Sequence, residues 1–335
     1  MANTQHSIAV LFAPDVVHGP TSIFSPAGTP AHSIFGLSML VLGVALCVFV
    51  IVGGLLAYAI IRYRHRRHDV KAGEEPAQIY GSNQIELSWT VIPVLIVAML
   101  VLSSARVIYS TQQAAKPTAA LDVIVIGHQF WWEYRYPKLG IVTANELHVP
   151  VSDPRHPTPT YLTLSSADTD HSFWIPRLAG KTDLIPNRVN IMWIDPPTAG
   201  LYLGQCAQFC GAQHAKMLLR VYADSPEEFS NWVKRQRDPV KEDPNTVEGE
   251  AVFQHNACIS CHTVAGTVAT GRFGPDLTHV ASRDTIGSGA VLNTPANLRL
   301  FVDNPAHFKP GALMPPMHLN EHDLDAVTAY LLTLK

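Results

Sequence analysis

No lysine or arginine precedes Arg62, so the first 61 positions carry no basic side chain of either type. That absence argues against a secretory leader, which needs a positive amino-terminal region. It leaves two expectations open: insertion by the chain's own first apolar span, or a leader already removed. Charge is scarce elsewhere too. Asp, Glu, Lys and Arg make up 15% of 335 residues against 47% apolar types, which is too apolar for an average soluble protein. The length allows two domains or more. The net charge of -3 decides little because the charges are unevenly placed, and no nucleic-acid partner is expected. Cysteine is rare: there are five, and four of them lie in two short motifs, Cys206–Met217 (CAQFCGAQHAKM) and Cys258–His262 (CISCH).

The apolar excess is concentrated. Ile34 to Ile61 is uncharged throughout, longer than the roughly 20 residues that cross a bilayer. Arg62, Arg64, Arg66, Arg67 and Lys71 follow at once, and a second apolar run begins at Leu87 and ends between Ala105 and Ile108. The basic loop between the spans is placed in the cytoplasm by the excess of positive charge, so both termini lie on the outer face. Within the spans, Cys47 is expected to pack as a small apolar residue and Pro93 to kink the second helix. Glu86, at the inner end of that helix, is either an ordinary interfacial glutamate or a functional one. Residues 1–33, rich in Pro, Gly, Ser and Ala, predict an irregular arm.

From Leu121 the pattern changes to short runs rich in Val, Ile, Leu and aromatics, punctuated by Pro, Gly, Asp and Asn. That spacing predicts a small antiparallel β-sandwich or Greek-key barrel over about 118–224. Pro226–Arg237 reads as one helix, acidic at its start and basic at its end, followed by a linker over 238–246. Residues 247–335 predict an all-α domain whose last helix starts at an Asn320 cap.

The ligand chemistry of Cys206–Met217 admits four readings. Two thiols on an oxidising face form disulfides. Zinc accepts Cys and His, but no second C-x-x-C or H-x-x-x-H is present. Mononuclear blue copper uses one cysteine, two histidines and a weak methionine, one thiolate fewer than this loop offers. A dinuclear copper centre uses both cysteines as bridges. His171, in the segment DHSFWIP, supplies a second imidazole.

With those residues in view, the region resembles the CuA (dinuclear copper) domain of cytochrome c oxidase subunit II, a cupredoxin-like fold. The resemblance implies Cys206 and Cys210 as bridging thiolates, His171 and His214 as terminal ligands, Met217 as a weak axial ligand, and Gln208 as a ligand through its backbone carbonyl. The family usually has Glu at the Gln208 position, where its side chain binds Mg²⁺; with Gln here, magnesium is left open. Glu86-Leu-Ser-Trp89-Thr-Val-Ile-Pro93 matches the family's E-x-x-W-T-x-x-P, which implies Glu86 at the mouth of a proton path into subunit I. SADTDHSFWIPRLAGKTDLIPNRVN follows the histidine-loop pattern, with Lys181 and Asp183 towards subunit I. GHQFWWEY resembles the aromatic electron-intake stretch, with Phe130 in place of its first Trp, followed by Trp131 and Trp132. For Trp132, core packing is the competing reading.

C-x-x-C-H is the signature of covalent haem c attachment through Cys258 and Cys261, which leaves His262 to ligate iron. A methionine opposite raises the potential. Met314, in a G-x-x-M-P setting, is preferred over Met317. FGPDLT, with Pro275, resembles the loop whose carbonyl accepts the proximal imidazole's hydrogen bond. His255, His279 and His307 are read as surface residues.

The combination resembles subunit II of a caa-type haem–copper oxidase, a tethered class I cytochrome c domain raising the local donor concentration. It implies electrons passing from haem c through CuA to subunit I, where oxygen reduction and proton translocation belong; nothing in this chain offers a haem a or CuB site. The implied partners are the other oxidase subunits and, as donor, a cytochrome c or quinol-oxidising complex, in a bacterial inner membrane with the soluble domains outside. The alternatives are a CuA-containing nitric oxide reductase subunit and a membrane electron carrier without a catalytic partner.

Overall fold

A computed structural model describes residues 21–64, 80–112, 116–118, 120–153, 155, 157–240 and 243–335. Arg66, Arg67 and Lys71 of the basic loop, and the first twenty residues of the expected arm, lie outside them. The chain divides into two compact units, 32–114 and a larger one built from 1–31 with 115–335.

The smaller unit is two helices, α1 (Thr29–Arg62, which starts in the larger unit) and α2 (Asn83–Gln112). Their mean hydropathies of 2.9 and 2.4 and their length suit them to cross a membrane. Apolar side chains such as Phe49, Leu55 and Leu95 are exposed all round, as expected for a helix whose solvent is lipid rather than a protein core. Cys47, expected to pack, is exposed. α2 runs through Pro93. Residues 29–33, expected in the irregular arm, are helical. The Thr29 N–H and hydroxyl donate to the Asp195 carboxylate at 2.7 and 2.5 Å, so a residue 166 positions away starts the helix.

In the larger unit ten strands form two five-stranded sheets. The first has the order β3-β2-β1-β5-β8: β1 (Leu121–His128), β2 (Trp131–Tyr136), β3 (Ile141–Ala144), β5 (Thr160–Ser166) and β8 (Asn190–Ile194). The second has the order β4-β10-β9-β6-β7: β4 (Glu146–Pro150), β6 (His171–Trp174), β7 (Thr182–Leu184), β9 (Gly200–Cys206) and β10 (Leu218–Asp224). Pairing is mostly antiparallel, but β1–β5 within the first sheet and β4–β10 within the second run parallel. The core is aromatic and aliphatic: Trp132, Tyr134, Tyr136, Leu162, Leu164 and Phe173 are fully buried, each contributing about 1.5–3 kcal/mol as an aliphatic or aromatic side chain removed from water.

Helix α3 (Pro226–Arg237) follows with a complete capping box between Ser225 and Glu228. Its Trp232 packs on Tyr136 and His148 of the sandwich. The carboxy-terminal domain contains α4 (Val247–His255), α5 (Cys258–Cys261), a short ribbon β11 (Thr285–Ile286) with β12 (Val291–Leu292), α6 (Pro295–Asp303) and α7 (Glu321–Thr333). The ribbon is an addition to the helical pattern. Asn320 caps α7 by accepting from the Asp323 N–H at 2.9 Å. The core joins Phe253, Leu298, Leu324, Val327 and Leu331.

The sandwich and this helical domain belong to one unit and share a hydrogen-bonded seam. Glu146 accepts from the backbone N–H groups of Asp284 and Thr285 at 3.1 and 2.9 Å and from the Thr285 hydroxyl at 2.9 Å. Tyr222 donates to Asp284 at 2.6 Å. The Leu218 N–H donates to the Ser288 carbonyl at 3.1 Å, and Lys216 donates to the Phe308 carbonyl at 2.6 Å.

Candidate metal centres

Strand β9 ends at Cys206 and β10 begins after Met217, so the CAQFCGAQHAKM loop spans the end of one hairpin. Its two ends are tied by the Cys206 N–H donating to the Met217 carbonyl at 2.9 Å. β6 pairs with β9 so that Phe173 faces Cys206, which brings His171 into the same layer. The resulting cluster is tight. Cys206 Sγ lies 3.9 Å from Cys210 Sγ and 3.9 Å from His171 Nδ1. Cys210 Sγ lies 3.8 Å from His214 Nδ1 and 3.9 Å from Met217 Sδ. The Gln208 carbonyl stands 3.2 Å from Cys206 Sγ. Both cysteines are free thiols, nearly buried.

The electrostatics favour a metal-ready set. The hydrogen bond from Cys210, then those from His171 and the backbone, hold the Cys206 thiol far below its ordinary value despite burial; Cys210, the donor to it, is pushed up. A cation bound by these sulfurs would take the place of that shared proton, because thiolates are the metal-binding form. Asp168 accepts from His171 Nε2 at 2.9 Å, which fixes the tautomer and leaves Nδ1 facing the sulfurs. The carboxylate also accepts from the Gln129 N–H at 2.6 Å and the Thr169 N–H at 2.6 Å. Gly127 completes the shelf, since a Cβ there would lie 2.8 Å from His171 Cδ2.

The second site is a cavity with a largely apolar wall, including Phe253, Leu298, Val327 and Leu331. Cys258, Cys261, His262, Met314 and Met317 all line it. His262 Nδ1 donates to the Pro275 carbonyl at 2.8 Å, leaving Nε2 as the free nitrogen, and burial pushes its pKa down, which favours the neutral ligand form. A Cβ on Gly274 would come within 2.5 Å of His262 Cε1. Donor atoms, an apolar slot and two unpaired thiols fit a covalently held haem.

The aromatic stretch is covered rather than open. Phe130 and Trp131 are 7% and 8% exposed and Trp132 is fully buried. Phe130, Trp131 and Gln129 line the second cavity from the sandwich side. Gln129 Nε2 donates to the Cys210 carbonyl at 2.6 Å, so one side chain of the cavity wall is bonded to a residue of the thiol cluster. Trp132 Nε1 donates to the Leu218 carbonyl at 3.1 Å, with its ring edge-on to His171 at 6.0 Å. Lys181 and Asp183 are about half exposed and 3.7 Å apart. Glu86 is exposed on α2. His255 and His307 are exposed. His279, read as a surface residue, is 5% exposed, and its Nδ1 donates to the Lys335 carbonyl at 2.8 Å; the chain terminus folds over it, a contact no local pattern encodes. Asp168, Gly127 and Gly274 were not singled out in the sequence either. D-x-x-H before a strand was the one available signal for Asp168.

Fold and sites together define a membrane-anchored electron-transport protein, a cupredoxin-like domain joined to a cytochrome c domain. Residues 21–107 match the transmembrane domain of cytochrome c oxidase subunit II, 141–223 its periplasmic domain, and 246–335 cytochrome c. Cytochrome c oxidase subunit 2 of Alkalihalophilus pseudofirmus is 31% identical, covering 92% of this chain and 90% of the relative. That of Bacillus sp. is 33% identical over 94% and 91%. The crystal structure of the periplasmic domain of subunit II of Bradyrhizobium japonicum cytochrome oxidase is 28% identical over 37% of this chain and 97% of that one, with a TM-score of 0.34. The chain belongs to the cytochrome c oxidase subunit II family, in the form with a fused carboxy-terminal cytochrome c domain, and so to an oxygen-reducing oxidoreductase complex. Its two soluble domains imply copper and haem.

Proposed function

We propose that this chain carries electrons from an external donor to the haem–copper subunit I of its complex, taking them up at a covalent haem c and relaying them through a dinuclear copper centre. The observation that carries the reading is the convergence of two thiols, two imidazoles and a thioether, neighbours within 3.9 Å, at one end of the sandwich. Both groups supply reversible one-electron chemistry with little change of surrounding structure. Cys206, Cys210, His171, His214, Met217 and the Gln208 carbonyl would hold the copper, and Cys258, Cys261, His262 and Met314 would hold the haem.

The chain's residues hold these groups in one state. Asp168 and the Pro275 carbonyl select opposite tautomers of His171 and His262, so each ring presents one nitrogen without rearrangement. The seam keeps water from the space between the sites, since Phe130, Trp131, Cys206 and Cys210 are all nearly buried. The sandwich and cytochrome domain stand on the outer face of a bacterial inner membrane, Glu86 marks the mouth of a proton path into subunit I, and a cytochrome c or quinol-oxidising complex is the donor. The Gln208 side chain is not assigned a magnesium.

A Cys206→Ser variant of the complex tests this reading. It should lose the copper held by this chain, keep c-type haem, and on addition of donor and oxygen should hold haem c reduced while oxygen uptake stops. Undiminished oxygen uptake without that copper would refute the relay.

A further inference from the structure

Gln129, Phe130 and Trp131, at the turn between β1 and β2, line the second cavity from the sandwich side. They differ in what stands behind them. The Trp131 ring stacks on His128 at 4.1 Å, and His128 bonds Glu133, neither of which is bonded to the thiol cluster among the described residues. The Phe130 ring is packed rather than bonded: a Cβ on Gly211 would lie 3.1 Å from its Cε1 and Cζ. Gln129 is bonded twice. Its Nε2 donates to the Cys210 carbonyl at 2.6 Å, and its backbone N–H donates to Asp168, the partner of His171. Gly211 makes that approach possible, since its φ of +130° suits glycine and a Cβ there would come within 3.1 Å of Gln129 Nε2. Two other crossings of the seam are poorer. Asn145 lines the cavity and accepts from the Trp132 N–H at 3.1 Å, but Trp132 and His171 meet as rings with centres 6.0 Å apart. Ser288 accepts from the Leu218 N–H at 3.1 Å, and the bonds beyond Leu218 run through Met217 to its thioether, the weak ligand type of the set.

We propose that Gln129 is the electron bridge of this chain: the crossing from the haem c cavity to the thiol cluster runs through the Gln129 amide and its hydrogen bond to Cys210, and not through the rings of Phe130 or Trp131. The proposal rests on the relay reading above. Electronic coupling falls steeply across a van der Waals gap and much less through covalent and hydrogen bonds, so a bonded crossing outweighs a packed one of similar length. From the Cys210 carbonyl the covalent path to Sγ needs only the Cα and Cβ of the same residue. The Phe130 ring offers no stepping stone either, because a phenyl group without hydroxyl or ring nitrogen is much harder to oxidise than an indole. With phenylalanine at position 130, the crossing falls to its neighbour. Gln129 passes one electron, lost by the reduced haem and gained by the oxidised copper pair. No bond forms or breaks, and the amide, which does not titrate, exchanges no proton. Both ends of the bridge are pinned, the backbone by Asp168 and the side chain by Cys210, so the crossing needs no rearrangement. Gln129 is not a redox centre; it couples two.

The test uses the purified complex carrying Gln129→Leu, Phe130→Leu or Gln213→Leu. Haem c is reduced by a photoexcited donor, and the rate at which the electron reaches copper is followed by absorption. The potentials of both sites and the copper EPR spectrum are recorded on the same samples. Gln129→Leu keeps a side chain of similar bulk and removes the donor. It should slow haem c-to-copper transfer several-fold while both potentials and the copper hyperfine pattern stay as in wild type, a combination that a merely structural role would not give. An unchanged rate in Gln129→Leu would overturn the bridge, and so would slowing in Phe130→Leu alone, which would return the crossing to the ring. Slowing with an altered copper spectrum would overturn it as well, because Gln129 would then act by shaping the copper site. Gln213 also donates across the seam, to the Pro310 carbonyl. Equal slowing in Gln213→Leu would reduce both amides to holding the domains together and would refute the bridge. Absence of c-type haem or of copper from the wild-type complex would refute the relay reading instead.

Discussion

Replacing Asp168 by alanine should loosen copper without unfolding the sandwich. The carboxylate holds His171 through one 2.9 Å hydrogen bond and braces the turn before it through the Gln129 and Thr169 N–H groups, each at 2.6 Å. In Asp168→Ala the His171 ring, fully buried, keeps its place against Gly127 but loses the partner that fixes its tautomer. Removing the carboxylate partner of a metal-bound histidine typically costs 10–100-fold in affinity, or about 1.4–2.8 kcal/mol. The pH dependence follows from the same contacts. Burial raises the Asp168 carboxyl, but the donors from His171, Gln129 and Thr169 outweigh it and hold it below its ordinary value. Its contribution is therefore fully present above the unfolded value of about 3.9 and is lost as pH falls through the lower folded value. The wild-type to variant difference in copper retention should be greatest towards pH 8 and shrink as pH falls, because Asp168 also helps to raise the pKa of His171 despite burial, and that imidazole must give up its proton to bind copper. The assay is copper retained by the purified complex against increasing chelator, read by metal analysis and the copper EPR signal. Equal retention by wild type and Asp168→Ala would refute the role given to this residue, and a difference that vanished at neutral pH would refute the sign.

Gly274→Ala would place a methyl 2.5 Å from His262 Cε1. The ring must then turn away from the Pro275 carbonyl, so the oxidised protein should show a high-spin haem fraction by EPR; a wholly low-spin spectrum would contradict the packing. Met314→Ala should leave the haem attached while abolishing the near-infrared methionine–iron charge-transfer band, and persistence of that band would move the assignment to Met317, which lines the same cavity. Glu146→Gln substitutes an NH₂ for an oxygen that faces backbone and hydroxyl donors of residues 284 and 285. Leaving one of them unpaired costs about 1–3 kcal/mol, and amide hydrogen exchange of Asp284 and Thr285 should accelerate while the sandwich core stays protected.

Local signals were legible and long-range ones were not. Pro226–Arg237 is bounded by its own capping box and basic last turn, and α7 by its Asn320 cap, so both helices could be read from neighbouring residues. The spacing within Cys206–Met217 was equally local, and a single hairpin brings those side chains together. The start of α1 is different: it is set by Asp195, far along the chain. So is the burial of His279 beneath the carboxy terminus. The seam depends on contacts between β4 or β10 and residues 284–288, which share no periodic pattern. Phe130 and Trp131 could be recognised as an aromatic stretch, but only the docked cytochrome domain shows that they are covered.

The most direct test of the electron relay is a low-temperature EPR spectrum of the oxidised, purified complex, taken with copper and haem analysis on the same sample. The Cys206–Cys210 geometry predicts the hyperfine pattern of one unpaired electron shared equally by two copper nuclei, beside a low-spin c-type haem signal. The pattern of a single copper nucleus, or no copper at all, would contradict it.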